Sequence, residues 1–251
     1  MSARYAIYWA PEESGALGQA GVSWFGRTAC KITADARAPL VASSIDACHL
    51  AGPGRYGFHA TLKAPFRLIE GQEASALHRD LAVFASDRAP VPVGRLMLTW
   101  FGPYLVLRPE DDSGGAAAGR LAGDVVETFS RFRAGLSDTE KNRRQPAMLT
   151  ARQRDHLETW GYPFVFEEYR FHLTLAGPVQ DGDMQHKVEL AARSVFETAL
   201  HDLCVIDAVS VFYEPHPGEP LTQQLRCPLS RGHAPRDDPK TDPGPARPST
   251  K

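Results

Sequence analysis

The feature that most constrains the fold of this chain is an internal repeat. Residues 56–66 read YGFHATLKAPF, and residues 169–179 read YRFHLTLAGPV. Six of the eleven positions are identical, and the two segments lie 113 residues apart in a chain of 251 residues. Because self-similar segments indicate duplicated structural units, the repeat predicts two similar lobes related by an approximate two-fold axis.

The repeated residues include types that packing alone would not be expected to duplicate. His59 matches His172, and Thr61 matches Thr174. Both segments alternate and are rich in aromatic residues, which predicts strands, and side chains two apart on a strand share a face. The His and Thr of each copy should therefore lie on one polar face, with apolar neighbours on the other. If the lobes pair about the two-fold axis, both polar faces line one cleft.

Two His-x-Thr units can supply what the cleavage of a cyclic phosphodiester requires. One imidazole takes a proton from the attacking water and the other gives a proton to the leaving oxygen, and an ordinary pKa of about 6.5 suits both roles. The threonine hydroxyls can donate hydrogen bonds to the non-bridging phosphate oxygens. We therefore predict a catalytic set that needs no metal and no other cofactor: His59, His172, Thr61 and Thr174.

Three further residues are predicted to bind the substrate. Strand alternation places Lys63 on the face of His59 and Arg170 on the face of His172, where either cation could hold a phosphate. Tyr8, on the first predicted strand, is a third candidate to line the cleft. The ordinary alternative for the two cations is a solvated charge on the surface. A single strand histidine is also more often structural, and it is the matched duplicate that favours catalysis.

The order of predicted elements indicates an α+β fold with antiparallel sheets. Strands are predicted at 4–9, 56–66, 94–100, 103–108, 167–175, 204–213 and 222–227. Helices are predicted at 14–27 with Ser14 as the cap, 73–86, 120–134, 150–160 between Thr150 and Gly161, and 183–201. We expect residues 29–53 to be irregular, residues 109–119 to form a loop, and residues 137–148 to be a solvated loop or the start of a helix.

The net charge and the absence of several sequence motifs argue against some classes of function. A net charge of −2 argues against tight binding of long nucleic acid. The four cysteines form no CxxC pair, and there is no HExxH motif, no Walker loop and no GxGxxG motif that follows a predicted strand. The chain lacks a signal peptide and a run of 18 apolar residues, so we expect a cytoplasmic monomer that is not in a membrane. Residues 1–229 should form the folded domain, and the Pro-rich, charged residues 230–251 a disordered tail.

The sequence resembles the 2H phosphoesterase superfamily, whose members carry two H-x-[TS]-x motifs. The motifs here are HATL (59–62) and HLTL (172–175). Their flanks and the opening RYAIYWAP resemble the bacterial branch often encoded beside phosphonate-degradation genes, and this resemblance spans about residues 4–228. It implies two lobes of antiparallel sheet with outer helices around a central cleft. It also implies hydrolysis of a small cyclic phosphodiester, such as a ribose cyclic phosphate, in phosphonate metabolism.

Two other functions remain open at this point. An RNA-end-processing cyclic phosphodiesterase or ligase would use the same motifs, although the near-neutral charge weighs against it. A non-catalytic module that binds a phosphosugar or a nucleotide would have no need of an acid–base pair, so the intact histidines weigh against that function.

Overall fold

The computed structural model describes residues 3–30, 45, 47–144 and 146–230. The strands are β1 (Arg4–Trp9), β2 (Ala60–Phe66), β3 (Val91–Gly94), β4 (Leu96–Phe101), β5 (Tyr104–Pro109), β6 (Leu173–Ala176), β7 (Cys204–Ile206), β8 (Ala208–Glu214) and β9 (Thr222–Pro228). The helices are α1 (Ala16–Phe25), α2 (Ala47–Tyr56), α3 (Ala74–Ser86), α4 (Asp112–Phe129), α5 (Asp138–Arg143), α6 (Ala151–Trp160) and α7 (Gly182–Phe196). None of the described helices is long and apolar enough to cross a membrane.

Seven of the strands form one antiparallel sheet in the order β4-β5-β6-β2-β1-β8-β9, and β3 pairs with β7 in a separate ribbon. The predicted α+β class with antiparallel sheets is therefore confirmed. Both copies of the repeat lie in this single sheet, on the neighbouring strands β2 and β6, whereas the repeat predicted two lobes.

The two faces of the sheet differ in what covers them. The main core lies on one face, where fully buried strand residues such as Leu62, Leu107 and Leu173 belong to the same apolar cluster as helix residues of α1, α3, α4 and α7. The indole of Trp24 in α1 donates a hydrogen bond of 2.9 Å to the carbonyl of Leu175 and ties that helix to β6. A smaller cluster that includes Ala6, Tyr8, Ala10, Phe212 and Leu221 forms the second apolar group.

Several local sequence signals are confirmed. The predicted strand 4–9 matches β1, and the predicted helix 73–86 matches α3 within one residue. The predicted strands 94–100 and 103–108 match β4 and β5 within two residues, and these two strands pair as an antiparallel hairpin. Helix α6 has the predicted cap, because the side chains of Thr150 and Gln153 form a reciprocal capping box. It ends at Gly161, whose φ of 79° is the left-handed conformation that glycine adopts without strain.

Three helix predictions were wrong. The predicted loop at 109–119 is mostly helix, since α4 begins at Asp112 and its capping residue Asp111 accepts hydrogen bonds from the amides of Ser113 and Gly114. The residue that caps α1 is Gly15, which makes no side-chain bond there, instead of Ser14. The region 29–53 was predicted to be irregular, yet α2 begins at Ala47; residues 31–44 and 46 lie outside the described part of the chain.

Helix α2 was missed because it contains a proline. Pro53 has no amide hydrogen, so it cannot donate to the carbonyl of His49 one turn earlier. The amide of Gly177 donates to that carbonyl instead, at 2.9 Å. A contact with the distant end of the second repeat therefore compensates for the proline.

The strands of the repeat, β2 and β6, are shorter than predicted. Strand β3 was not predicted; it contains Pro92, a residue type that disfavours strands. The predicted long helix 183–201 is α7 followed by a 3₁₀ turn at Thr198–His201. Apart from Ser230, the predicted tail lies outside the described residues.

Candidate active site where the repeated strands meet

The two copies of the repeat meet at one residue pair in the described structure. Strands β2 and β6 run antiparallel, with Ala60 as the cross-strand partner of Leu173. Each is the middle residue of a His-x-Thr motif, and neither is exposed. An antiparallel register centred on this pair sets His59 across from Thr174 and Thr61 across from His172. Because side chains alternate, the two His and two Thr belong on the face opposite to the buried pair.

Both histidines are held in the same way by the backbone. Nδ1 of His59 lies 2.9 Å from the carbonyl oxygen of Gly57, and Nδ1 of His172 lies 2.7 Å from that of Arg170. A carbonyl can only accept, so in each ring Nδ1 carries the hydrogen and the neutral ring has its lone pair on Nε2. Nε2 of His59 lies 3.3 Å from Oγ1 of Thr61. The duplicated sequence thus gives a duplicated tautomer, in which the lone pair of each ring is on Nε2 and that of His59 faces the hydroxyl of Thr61.

The imidazole of His59 is enclosed by aromatic rings. Tyr8 stacks on it with ring centroids 3.9 Å apart, and Tyr56 and Phe212 lie at 6.2 Å and 6.4 Å. Burial lowers the pKa of His59 to about 4, with the hydrogen bond to Gly57 acting in the opposite direction and the nearby His172 and Arg27 adding to the decrease. The electrostatic effect of His172 on this pKa indicates that the two imidazoles are neighbours.

His172 has a more open environment. It lies on a groove of about 1670 Å³ that is also lined by Tyr169 and Arg170, and the half-exposed ring of Phe101 packs 5.9 Å from its own. Burial lowers the pKa of His172, and its bond to the carbonyl of Arg170 partly offsets the decrease. The two imidazoles therefore share a tautomer but differ in enclosure.

An arginine cluster that the sequence did not reveal lies next to Tyr56, one of the rings around His59. The fully buried carboxylate of Glu214 accepts hydrogen bonds from Arg4, from Arg55 at 2.6 Å and from the amide of Gly218 at 2.9 Å, and Arg55 also donates to the hydroxyl of Tyr56. Burial alone would raise the pKa of Glu214, but these donors and charges lower it, so the group stays a carboxylate. Two guanidinium groups on one carboxylate leave a net positive charge near Tyr8 and Tyr56.

Of the β1 residues Tyr8 and Arg4, only Tyr8 was predicted from the sequence. Both lie on β1 four residues apart, and the cross-strand partner of Tyr8 is Thr61. Tyr8 was a candidate from the first predicted strand, and its ring is stacked on His59. Arg4 was missed because its partner Glu214 is 210 residues away along the chain. Tyr56 is linked to the same cluster through its hydroxyl.

Lys63 is a correction to the predicted site. A β-bulge at Leu62 shifts the register, because Thr61 pairs with Tyr8 while Lys63 pairs with the adjacent core residue Ile7. The bulge turns Lys63 away from the face of His59 and Thr61, so the alternation that placed it there does not hold. Its ammonium lies 3.2 Å from the carbonyl of Val126 in α4 and 3.3 Å from the hydroxyl of Ser130.

Arg170 remains close to His172. Its side chain is exposed on the groove, and Nη1 donates to the carbonyls of Glu167 and Tyr169, both at 2.7 Å. The neighbouring Tyr169 donates from its hydroxyl to the carbonyl of Thr61 at 2.9 Å and so links the flank of the second motif to the first. In the described residues no three His, Cys, Asp or Glu side chains are grouped so that they could hold a metal ion.

Comparison with known proteins gives two curated relatives that share one name. The chain is 34% identical over 235 residues to ribose 1,5-bisphosphate phosphokinase PhnN of Janthinobacterium sp. (strain Marseille) and 33% identical over 219 residues to the protein of that name from Laribacter hongkongensis (strain HLHK9). The alignments cover 90% and 86% of this chain but 51% and 49% of the relatives. The chain thus spans about half the length of the curated relatives it matches.

A solved structure and a family model also match. The crystal structure of the conserved protein of unknown function ATU0111 from Agrobacterium tumefaciens str. C58 is similar with a TM-score of 0.41 and 12% identity, over 90% of this chain and 86% of that one. The family model described as "Protein of unknown function (DUF1045)" matches residues 61–222. That match spans well over half of the chain, which therefore belongs to the DUF1045 family.

Proposed function

We propose that this protein is a metal-independent phosphoesterase of the 2H kind that hydrolyses a small cyclic phosphodiester. The observation that carries the proposal is the cross-strand pair of Ala60 and Leu173, which brings two His-x-Thr motifs together about a local two-fold axis. Proximity of the imidazoles is supported by the effect of His172 on the pKa of His59. The net positive charge of the Arg4, Arg55 and Glu214 cluster suits an anionic substrate.

The difference between the two histidines supports an assignment of roles. The enclosed His59, with its pKa of about 4, is neutral near neutral pH and acts as the base. In this scheme its Nε2 takes a proton from water as the water oxygen bonds to phosphorus. The bond from phosphorus to the ring oxygen breaks, and Nε2 of protonated His172 gives its proton to that oxygen. Thr61 and Thr174 donate hydrogen bonds to the non-bridging oxygens, and Arg170 and Tyr8 help to form the site.

The name of the two relatives supports a phosphorylated ribose as the substrate class. Ribose 1,5-bisphosphate phosphokinase is a name for proteins about twice as long as the matched region. This chain has no Walker phosphate loop, so we assign the kinase activity to the half of the relatives that it does not match. A ribose cyclic phosphate, formed during the breakdown of phosphonates, is the substrate that we propose.

The test is a screen of ribose and nucleoside cyclic phosphates by phosphorus NMR, with His59→Ala and His172→Ala as separate variants. We expect turnover by the unmodified protein, a decrease of about 10²–10⁴-fold in each variant, and unchanged circular dichroism. Activity should persist in a chelator. Near-normal turnover in either variant would contradict the acid–base roles of the two histidines. Complete loss of activity in a chelator would indicate a metal enzyme.

The groove beside His172 supports a second candidate, an RNA-end-processing enzyme. It is lined by two aromatic rings, Phe101 and Phe164, that are 50% and 42% exposed, and exposed rings can stack on nucleobases. Strong hydrolysis of oligonucleotide 2′,3′-cyclic ends, with none of ribose cyclic phosphate, would favour this candidate. Tight binding without turnover across the whole panel would instead indicate a phosphosugar- or nucleotide-binding module.

A further inference from the structure

A small cavity whose lining carries more positive than negative side chains lies next to β2, beside the buried Lys63. Its volume is about 20 Å³, and its lining includes the charged residues Lys63, Arg67, Arg133 and Glu140 together with Gly161. The bulge at Leu62 turns Lys63 towards this cavity and away from the His-x-Thr face. The cavity is therefore distinct from the proposed active site.

Two cations line the cavity with donors to spare, the buried Lys63 and the partly buried Arg133. Lys63 is 4% exposed, and its ammonium has three hydrogens for two acceptors, Val126 and Ser130. Arg133 donates from Nη1 to Ala134 and from Nη2 to Thr159, but its Nε is buried without a hydrogen-bond partner in the described structure. A buried donor without an acceptor costs about 1–3 kcal/mol, and such groups commonly mark an unseen water or ion.

The nearby carboxylate of Glu140 acts on Arg133 but balances these charges only in part. Glu140 is already bound by Arg67 through two hydrogen bonds of 3.2 Å and 2.9 Å and by the amide of Ser137 at 2.8 Å. Burial, and next the charge of Arg133, lowers the pKa of Lys63 to about 7, and no carboxylate of the described residues offsets this decrease. Among the described lining residues, three cations thus share one carboxylate.

We propose that this cavity binds a small monovalent inorganic anion of the size of chloride, held by Nζ of Lys63 and Nε of Arg133. The volume exceeds the roughly 10–15 Å³ that a water-sized occupant needs, yet it is far below the roughly 300 Å³ of the smallest sites for organic ligands. Gly161 keeps the space open, because a Cβ there would lie 3.0 Å from Nε of Arg133. A water could satisfy the donors, but an anion also balances the positive charge of the buried Lys63 and the partly buried Arg133.

The test is thermal unfolding of the full chain at pH 6 in chloride and in gluconate at equal ionic strength. We expect saturating chloride to raise the Tm by about 2–4 °C relative to gluconate, which is too large for the cavity. Lys63→Met should abolish this difference. Arg131→Gln, which removes an exposed arginine whose side chain is 59% accessible, should retain it.

Equal Tm values in the two salts for the unmodified protein would overturn the proposal. So would a chloride effect in Lys63→Met as large as that in the unmodified protein, because it would then arise from the surface. If Lys63→Met does not fold, bromide-soaked crystals decide the question. An anomalous peak between Lys63 and Arg133 supports the site, and a fully occupied water without such a peak overturns it.

Discussion

The Cα atoms of Ala60 and Leu173 are cross-strand partners at the junction of β2 and β6, and both side chains are fully buried. Each residue separates the His from the Thr of its own motif. A register centred on them puts each threonine across from the histidine of the other copy. In the proposed active site the cross-strand pairs are therefore His59 with Thr174 and His172 with Thr61, in addition to the pairs within each motif.

The first prediction concerns the two threonine hydroxyls. Thr61→Val and Thr174→Val remove a hydrogen-bond donor with little change of shape, and each should lower kcat for a cyclic phosphate by about 10²-fold, as loss of a transition-state donor does. Steady-state kinetics on the substrate found by the screen measures the effect. Thr99→Val is the matched control, because Thr99 lies on β4, two strands from β6. An unchanged kcat in either motif variant would contradict the proposed role.

The second prediction concerns the pH dependence of activity. His59 must be neutral to act as base, which holds above its pKa of about 4. His172 must be protonated to act as acid, which holds below a pKa that burial lowers from the ordinary 6.5. The kcat/KM profile of the free enzyme should therefore be bell-shaped, with its maximum between about pH 4 and 6.5.

Measurement of kcat/KM from pH 3.5 to 9 in overlapping buffers checks this profile. His78→Gln is the control, because His78 lies on α3 outside the candidate site and its pKa is also lowered by burial. That variant should keep the profile of the unmodified protein. A maximum above pH 7 would be incompatible with the assigned roles.

The candidate residues that follow from local periodicity could be named from the sequence. His59, His172, Thr61 and Thr174 were chosen because a strand has a period of two and the repeat doubles the signal. The bulge at Leu62 interrupts that period one residue before Lys63, and the placement of Lys63 was therefore wrong. A bulge of this kind follows from how β1 pairs with β2, which no single segment encodes.

Residues that act through distant partners could not be predicted. Glu214 joins Arg4 and Arg55 through bonds that span 210 and 159 residues of chain. The same holds for α2, whose proline is tolerated because Gly177 donates to the carbonyl of His49. In both cases tertiary contacts outweigh local propensity.

The third prediction concerns the buried Lys63 in chloride-free gluconate buffer. Its folded-state pKa of about 7 is below the ordinary 10.5, so between these pH values the unfolded chain binds a proton that the folded chain does not. The free energy of unfolding should rise with pH across this window, by a contribution on the order of 4 kcal/mol. Lys63→Met should lack that rise.

Urea unfolding at several pH values from 6 to 10.5 measures this contribution. Lys187→Met, which removes an exposed lysine of α7, should behave like the unmodified protein. Parallel curves for Lys63→Met and the unmodified protein would show that Lys63 stays charged throughout, contrary to the prediction.

The fourth prediction concerns the glycines at the start of α4, which made that segment read as a loop. Gly114 packs so closely on β3 that an added Cβ would lie 1.8 Å from the carbonyl oxygen of Val93. Gly114→Ala must therefore move α4 away from β3, and we expect a loss of about 2–4 kcal/mol of stability, as for overpacked core sites. The neighbouring Gly115 has its nearest contact, the side chain of Pro109, at an ordinary 3.9 Å.

Gly115→Ala is the matched control, because alanine loses less backbone entropy than glycine on forming a helix. It should stabilise the protein by about 0.5–1 kcal/mol. Urea unfolding of both variants measures the two effects, whose opposite signs test the contact between α4 and β3. If both substitutions stabilise the protein, the close contact with Val93 does not exist in solution. If both destabilise it to the same extent, the start of α4 requires glycine for a reason other than this contact.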